Sequence, residues 1–379
     1  MKDKIISIQL LRAFACLLVL QVHVLKYIPI IHLPFYGSIG VDLFFVISGY
    51  IIASAIDKLP DQNPARKFLI NRFSRVAPYY YLLTLLAVLT MVFYFHGFRH
   101  TGLPKLIPSL LFFPQRNDPV LFLGWTLDHE MFFYLVVGLS LLFVPKNKSL
   151  LIGLIFLGVV FLSNFLPHFH NETLYYFECF LCADMNYTFL LGFFIFHFKD
   201  KVLHLFNHKM IGVACILLFI AVPIIGNEIL PDKDVVTPYR RQLIFLFQSD
   251  FAVSRFIIWG IPSMLVFLCF LANEERLQKY SNSLLVKIGN ASFSVYLLQG
   301  VLLFFFTRIS LSGNVVFTYI FCIGLVALAI KMVWIENFVG KKTKELLLDF
   351  FTKREGEYNP SYVSGEDDIV KRDLKGSRM

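Results

Sequence analysis

Long apolar runs alternate with short charged segments from the N-terminus to about residue 336. Ten of these runs approach or reach the length needed to cross a hydrocarbon core of ~30 Å. They lie near 7–26, 38–56, 78–96, 122–144, 150–166, 180–198, 210–225, 252–271, 285–306 and 314–336. The pattern predicts an all-α, polytopic transmembrane helix bundle of about ten spans. The fifth and seventh runs are short and read as tilted or broken. The first is too long for the apolar region of a signal peptide, and no small-residue cleavage pattern follows it, so it reads as a retained span. Segment 97–121 carries Pro104, Pro108, Pro114 and Pro119, and its LIPSLLFFP stretch reads as interfacial or re-entrant. The chain divides into a transmembrane region, 1–340, and a C-terminal tail, 341–379. From about Glu355 the tail is polar and of mixed charge, the composition of a disordered segment.

The distribution of charge orients the bundle. With the N-terminus in the cytoplasm, inner segments hold 24 of the 35 Lys and Arg and outer loops hold seven. The positive-inside rule then places both termini in the cytoplasm. A net charge of +9 reads as inner loops facing anionic lipid, with no nucleic-acid partner. Only 16% of residues are charged, against about 25% in soluble domains, so an ordinary soluble enzyme is excluded. Cys179 and Cys182 form a CxxC without a second ligand pair. It reads as helix packing, and no metal site is expected.

Against this apolar background, ionisable residues stand out, because each is costly in a span. Arg12 and His23 lie eleven residues apart in the first run. At about 100° and 1.5 Å per residue they share one face, ~16 Å apart. His23 is suited to general-base work near neutral pH. Asp42, in GSIGVDLFFVISGYII, lies ~6 Å into span two from its outer end, and Glu130, in LGWTLDHEMFFYLVVG, lies ~12 Å into span four from the same side. These depths place His23, Asp42 and Glu130 together in the outer third of the membrane. A carboxylate beside an imidazole orients it and raises its basicity, which suits removal of a hydroxyl proton. Arg72 and Arg75, one turn apart just before span three, suit phosphate binding from the cytoplasm.

The strings LRAFACLLVLQVHV, GSIGVDLFFVISGYII, NRFSRVAPYYYLLT, GWTLDHEMFFYLVVG and GNASFSVYLLQ occur in that order. Together they resemble the acyltransferase-3 family of bacterial integral membrane O-acyltransferases, most of all its exopolysaccharide-production branch, across residues 5–336. The resemblance implies a multi-pass protein of the bacterial inner membrane. It implies transfer of an acyl group, usually acetyl, from cytoplasmic acyl-CoA to a hydroxyl of an envelope or exported polysaccharide or its lipid-linked precursor. Acyl-CoA is then a cosubstrate, with no permanently bound cofactor. The other partners implied are the glycan acceptor, membrane lipid and polysaccharide-assembly proteins.

Carried over by motif, His23 matches the family's essential histidine, as general base or acyl carrier, with Asp42 and Glu130 as acids beside it. Arg12, Arg72 and Arg75 would hold the acyl-CoA phosphates. Ser48, Trp125, Tyr134, Tyr296, Gln299 and Glu336 would contact substrate or support the site. Gln299 departs from the pattern: the family often has histidine there, and glutamine hydrogen-bonds but does not titrate. Two other readings of the intramembrane charges are a transporter or flippase of glycan intermediates with an Arg/His/acid relay, and an inactive membrane scaffold.

Overall fold

The computed structural model describes residues 5–25, 36–95, 103–114, 118–163, 165, 171–181, 183–229, 255–306 and 314–354. Every regular element among them is helical. In chain order the helices are α1 (Ile6–Leu25), α2 (Ile39–Asp57), α3 (Pro64–Phe95), α4 (Leu103–Leu110), α5 (Trp125–Phe143), α6 (Ser149–Ser163), α7 (Glu172–Leu181), α8 (Asp184–Val202) and α9 (Lys209–Ile229). They continue with α10 (Ile261–Ala272), entered through a π-helical turn at Phe256–Gly260, then α11 (Leu284–Asn290), α12 (Ser292–Phe306) and α13 (Val315–Arg354). With no water in the core, intrahelical hydrogen bonding is how such apolar segments satisfy their backbone.

Six of the described helical segments are long and apolar enough to cross a membrane, and up to nine spans result if each of three bent pairs counts as one. The pairs are Asp184–Phe206 with Lys209–Val222, bent by 112°, Phe256–Ala272 with Glu274–Tyr280, bent by 75°, and Leu284–Asn290 with Ser292–Phe306, bent by 70°. The first pair accounts for the difference from ten, because its two arms read as separate spans in the sequence.

Two elements differ in extent from expectation. Helix α3 begins at Pro64 rather than near residue 78, and carries Pro78 in its interior. Arg72 and Arg75 therefore lie inside a helix, two to three turns from its start, and not in a loop ahead of it. Helix α13 runs without a break to Arg354, well past the predicted end at 336. The LIPSLLFFP stretch supplies the later part of the eight-residue α4, a helix too short to cross, and the turn after it. The tail beyond Arg354, Cys182, the side chain of Cys179 and most of 226–251 lie outside the described residues.

α2 is the central helix, buried along most of its length and packed most closely on α8. The approach is backbone to backbone. A Cβ on Gly192 would come within 1.8 Å of the Val46 carbonyl oxygen, and one on Gly49 within 2.0 Å of that of Phe189. Close packing through small residues is how membrane helices gain contact where lipid offers no hydrophobic drive to associate. Aromatic rings then fill the space around α2, α5 and α8: Phe133 stacks on Phe189 at 3.6 Å between centroids and meets Phe156 edge-on at 5.0 Å. This rigid interior holds α2 and α5 beside α1, α3 and α12, where the polar residues gather.

Candidate active site

A cavity of about 320 Å³ opens between α1, α2, α3, α5 and α12. α1 contributes Arg12, α3 contributes Arg72 and Arg75, and α5 contributes Thr126, Glu130 and Tyr134. Ser48 of α2 and Ser292 and Tyr296 of α12 complete its polar lining. Phe44, Phe45 and Phe293 supply apolar wall. Seven residues singled out from sequence thus meet in one space: Arg12, Ser48, Arg72, Arg75, Glu130, Tyr134 and Tyr296.

Most of these polar groups have a neighbour that holds them. The Arg12 Nε donates to Ser292 Oγ at 3.1 Å. The Tyr134 hydroxyl donates to Glu130 Oε1, one turn back along α5. Tyr296 Oη lies 2.8 Å from Thr126 Oγ1. The Arg72 guanidinium sits 5.8 Å from the centroid of Phe68. Arg75 Nη2 pairs with Glu336 Oε1 at 3.3 Å, and Ser294 Oγ donates to the other Glu336 oxygen at 2.7 Å. Glu336 is buried, while the Arg75 side chain is 42% exposed. Three guanidiniums and one carboxylate line the cavity, so its formal charge is positive. Arginine clusters of this kind pair well with phosphate oxygens.

His23 lies elsewhere. It is partly buried in the last turn of α1, its ring edge-on to Phe122 at 5.3 Å. The cavity's contribution from α1 is Arg12, ~16 Å below His23 at about 1.5 Å per residue. Glu130 therefore belongs to the Arg12 end of the stripe and not to the His23 end, a correction to the grouping by depth. Depth counting assumes that helix ends lie level and that helices stand untilted.

Asp42 is likewise committed to another partner. Its carboxylate is fully buried and takes a two-pronged contact from Arg255, with Nη2 to Oδ2 at 2.7 Å and Nε to Oδ1 at 3.4 Å. Arg255 also lies over the Trp259 ring at 4.2 Å and reaches the Ser38 carbonyl oxygen at 3.5 Å. Asp42 thus ties the start of α2 to the π-helical turn before α10. The expectation that it orients His23 gives way to that tie. Arg255 was visible in sequence as a cation in the apolar stretch VSRFIIWG, the same signal that drew attention to Arg12. Thr126 and Ser292 carried no such signal, since hydroxyl residues are common in spans.

The remaining expected residues are not among those that line the cavity. Trp125 packs edge-on to His129 at 6.3 Å, and His129 stacks on Phe180 at 4.1 Å with its Nδ1 3.3 Å from Asn186 Oδ1. Gln299 is fully buried on α12, beyond Tyr296.

Comparison with known proteins identifies the family of the chain. A family model described as an acyltransferase domain matches residues 5–334. The exopolysaccharide production protein ExoZ of Rhizobium meliloti is 37% identical over 131 residues, 33% of this chain and 40% of that protein. A putative acetyltransferase of Acidianus two-tailed virus is 31% identical over 157 residues, 40% of this chain and 46% of that protein. The peptidoglycan O-acetyltransferase OatA of Listeria monocytogenes is 38% identical over 61 residues, 15% of this chain and 10% of that protein. Each match spans less than half of the relative's length. No solved structure matches the chain. Since the family model runs through α1 and on into α13, the chain belongs to the acyltransferase-3 family of acyltransferase domains.

Proposed function

We propose that this protein is a multi-pass O-acyltransferase of the bacterial inner membrane. It moves an acyl group, acetyl in the first instance, from cytoplasmic acyl-CoA to a hydroxyl of an envelope or exported polysaccharide or its lipid-linked precursor. The observation that carries this reading is the cavity lined by Arg12, Arg72 and Arg75, sharing α1 with His23. The names of two relatives, one in exopolysaccharide production and one in peptidoglycan O-acetylation, support a glycan acceptor.

In this mechanism the phosphates of acyl-CoA rest against Arg72, Arg75 and Arg12. Glu130, held by Tyr134, offsets the repulsion among the guanidiniums. The donor's arm follows the polar face of α1 toward His23. There the imidazole takes the proton of the acceptor hydroxyl as its oxygen attacks the thioester carbonyl. The carbon–sulfur bond breaks, and the imidazolium returns its proton to the departing thiolate. Asp42 and Arg255 act at a distance, by holding α2 in position.

The test compares wild type with His23→Ala in host cells at matched membrane protein levels, scoring base-labile O-acyl groups on the envelope glycan by NMR. Loss of the ester signal with glycan still exported is the expected result, and it separates transfer from transport. Esters that persist unchanged would remove the base from the mechanism.

A further inference from the structure

Gln299 is buried to 0% exposure, and neither its Nε2 nor its Oε1 has a hydrogen-bond partner among the described residues. Buried amides are normally paired at both atoms, so a donor and an acceptor left side by side point to something that binds there.

The place is fixed by its neighbours. Ser292, at the start of α12, receives Arg12 of α1. Further along, both helices reach the 3₁₀ turn Phe122–Gly124. His23 of α1 meets the Phe122 ring, and Gly300 of α12 lies against Leu121 and Leu123. The two helices therefore run side by side in the same direction between these points. Gln299 is seven residues past Ser292, which returns it to within about 20° of the same face and ~10 Å further along. His23 is eleven residues past Arg12, ~16 Å along. Gln299 thus stands on the route from the arginine cavity to the imidazole, ~6 Å short of His23 by the same rise.

We infer that Gln299 reads the amide of the donor arm nearest the thioester, its Oε1 accepting that amide's N–H and its Nε2 offered as a donor to a carbonyl further along the arm. The inference rests on the acyl-CoA reading above. In a pantetheine arm two methylenes separate the sulfur from that amide. An amide just below a thioester at His23 would therefore face Gln299, and since a trans amide points its N–H and C=O to opposite sides, the side turned to Gln299 is the N–H. Gln299 is in this role a positioning residue for the donor.

The experiment uses inverted vesicles from host cells expressing the full chain, with release of free thiol as readout and vesicles lacking the protein as blank. Three acetyl thioesters are compared: acetyl-CoA, S-acetyl-N-acetylcysteamine, and the analogue in which an ester oxygen replaces the amide N–H. Wild type should use the amide donor about tenfold better than the ester donor, and Gln299→Leu should reduce that ratio to near one. The ratio is taken within one preparation, so loss of folded protein cancels. A ratio near one in wild type, or an unchanged ratio in Gln299→Leu, would overturn the inference while leaving the transfer reaction standing. Absence of protein-dependent thiol release from acetyl-CoA would instead remove the acyl-CoA reading, and this inference with it.

Discussion

Asp42 and Arg255 are separated by 213 residues in the chain and 2.7 Å in space, both almost without solvent contact. Removing one partner leaves the other as an uncompensated buried charge. Asp42→Ala and Arg255→Ala should each destabilise the protein by about 3–5 kcal/mol, and Asp42→Leu with Arg255→Met should recover most of that loss. Unfolding of the purified variants in detergent tests the cycle, and additive losses would remove the pair from its structural role. Arg72 belongs to the other class of buried charge. Its Nε has no hydrogen-bond partner among the described residues, whereas Arg75 is already engaged by Glu336. Arg72→Gln should therefore raise KM for acyl-CoA about tenfold with a smaller change in kcat, and Arg75→Gln should do less. Steady-state kinetics at low and high salt would show it, and equal effects from both arginines would contradict the division. These two cases also mark what the sequence could reveal. Arg12, Arg72, Arg75 and Glu130 announced themselves as charges within or bordering apolar stretches, and they do meet. The Asp42–Arg255 pair did not, because nothing local in either segment names a partner so far along the chain.

Glycines show how element packing, more than propensity, shapes this bundle. Gly192 faces the Val46 carbonyl so closely that a Cβ would overlap it, while Gly158 on α6 has nothing within 4 Å. Gly192→Ala should destabilise by about 1–3 kcal/mol or more, because backbone has to move to make room. Gly158→Ala should be neutral or stabilise by up to about 1 kcal/mol through helix propensity alone. Thermal unfolding of the two variants side by side checks the contrast, and equal effects would mean that α2 and α8 are not in close contact. Neither glycine is distinguished by its sequence surroundings, since the signal is the helix facing it. The start of α3 shows a similar limit. Its apolar run begins at 78 and hydropathy marks only that point, whereas proline is favoured in the first turn of a helix. Pro64 is the proline that holds that position, and the charged turns from there to 78 belong to the helix. That extension is what brings Arg72 and Arg75 level with Arg12 and Glu130.

At the scale of the molecule, the number of crossings decides which side each site faces. Counting every bent pair as one span gives an odd number and puts the two termini on opposite sides, against a charge bias that places both inside. The pairs are not alike, however. In two of them the second or first arm is a short helix, Glu274–Tyr280 or Leu284–Asn290, too short to cross by itself. In the third, Asp184–Phe206 and Lys209–Val222 are both long, and a bend of 112° turns the chain back more than it carries it on. The break between them is flanked by Lys199, Lys201 and Lys209, as a turn on the inner side would be. Taken as a hairpin of two crossings, this pair restores ten spans and an even count. Single cysteines at Lys209, Asp61 and Lys341 should then be labelled in intact cells by a membrane-permeant maleimide and not by an impermeant one, in a background from which the native cysteines have been removed. A cysteine at Asn171 should accept both reagents. Labelling of Lys209→Cys by the impermeant reagent would make the bent pair a single broken span, and would place Lys341 on the opposite face from the entrance at Arg75 that the acyl-CoA route requires.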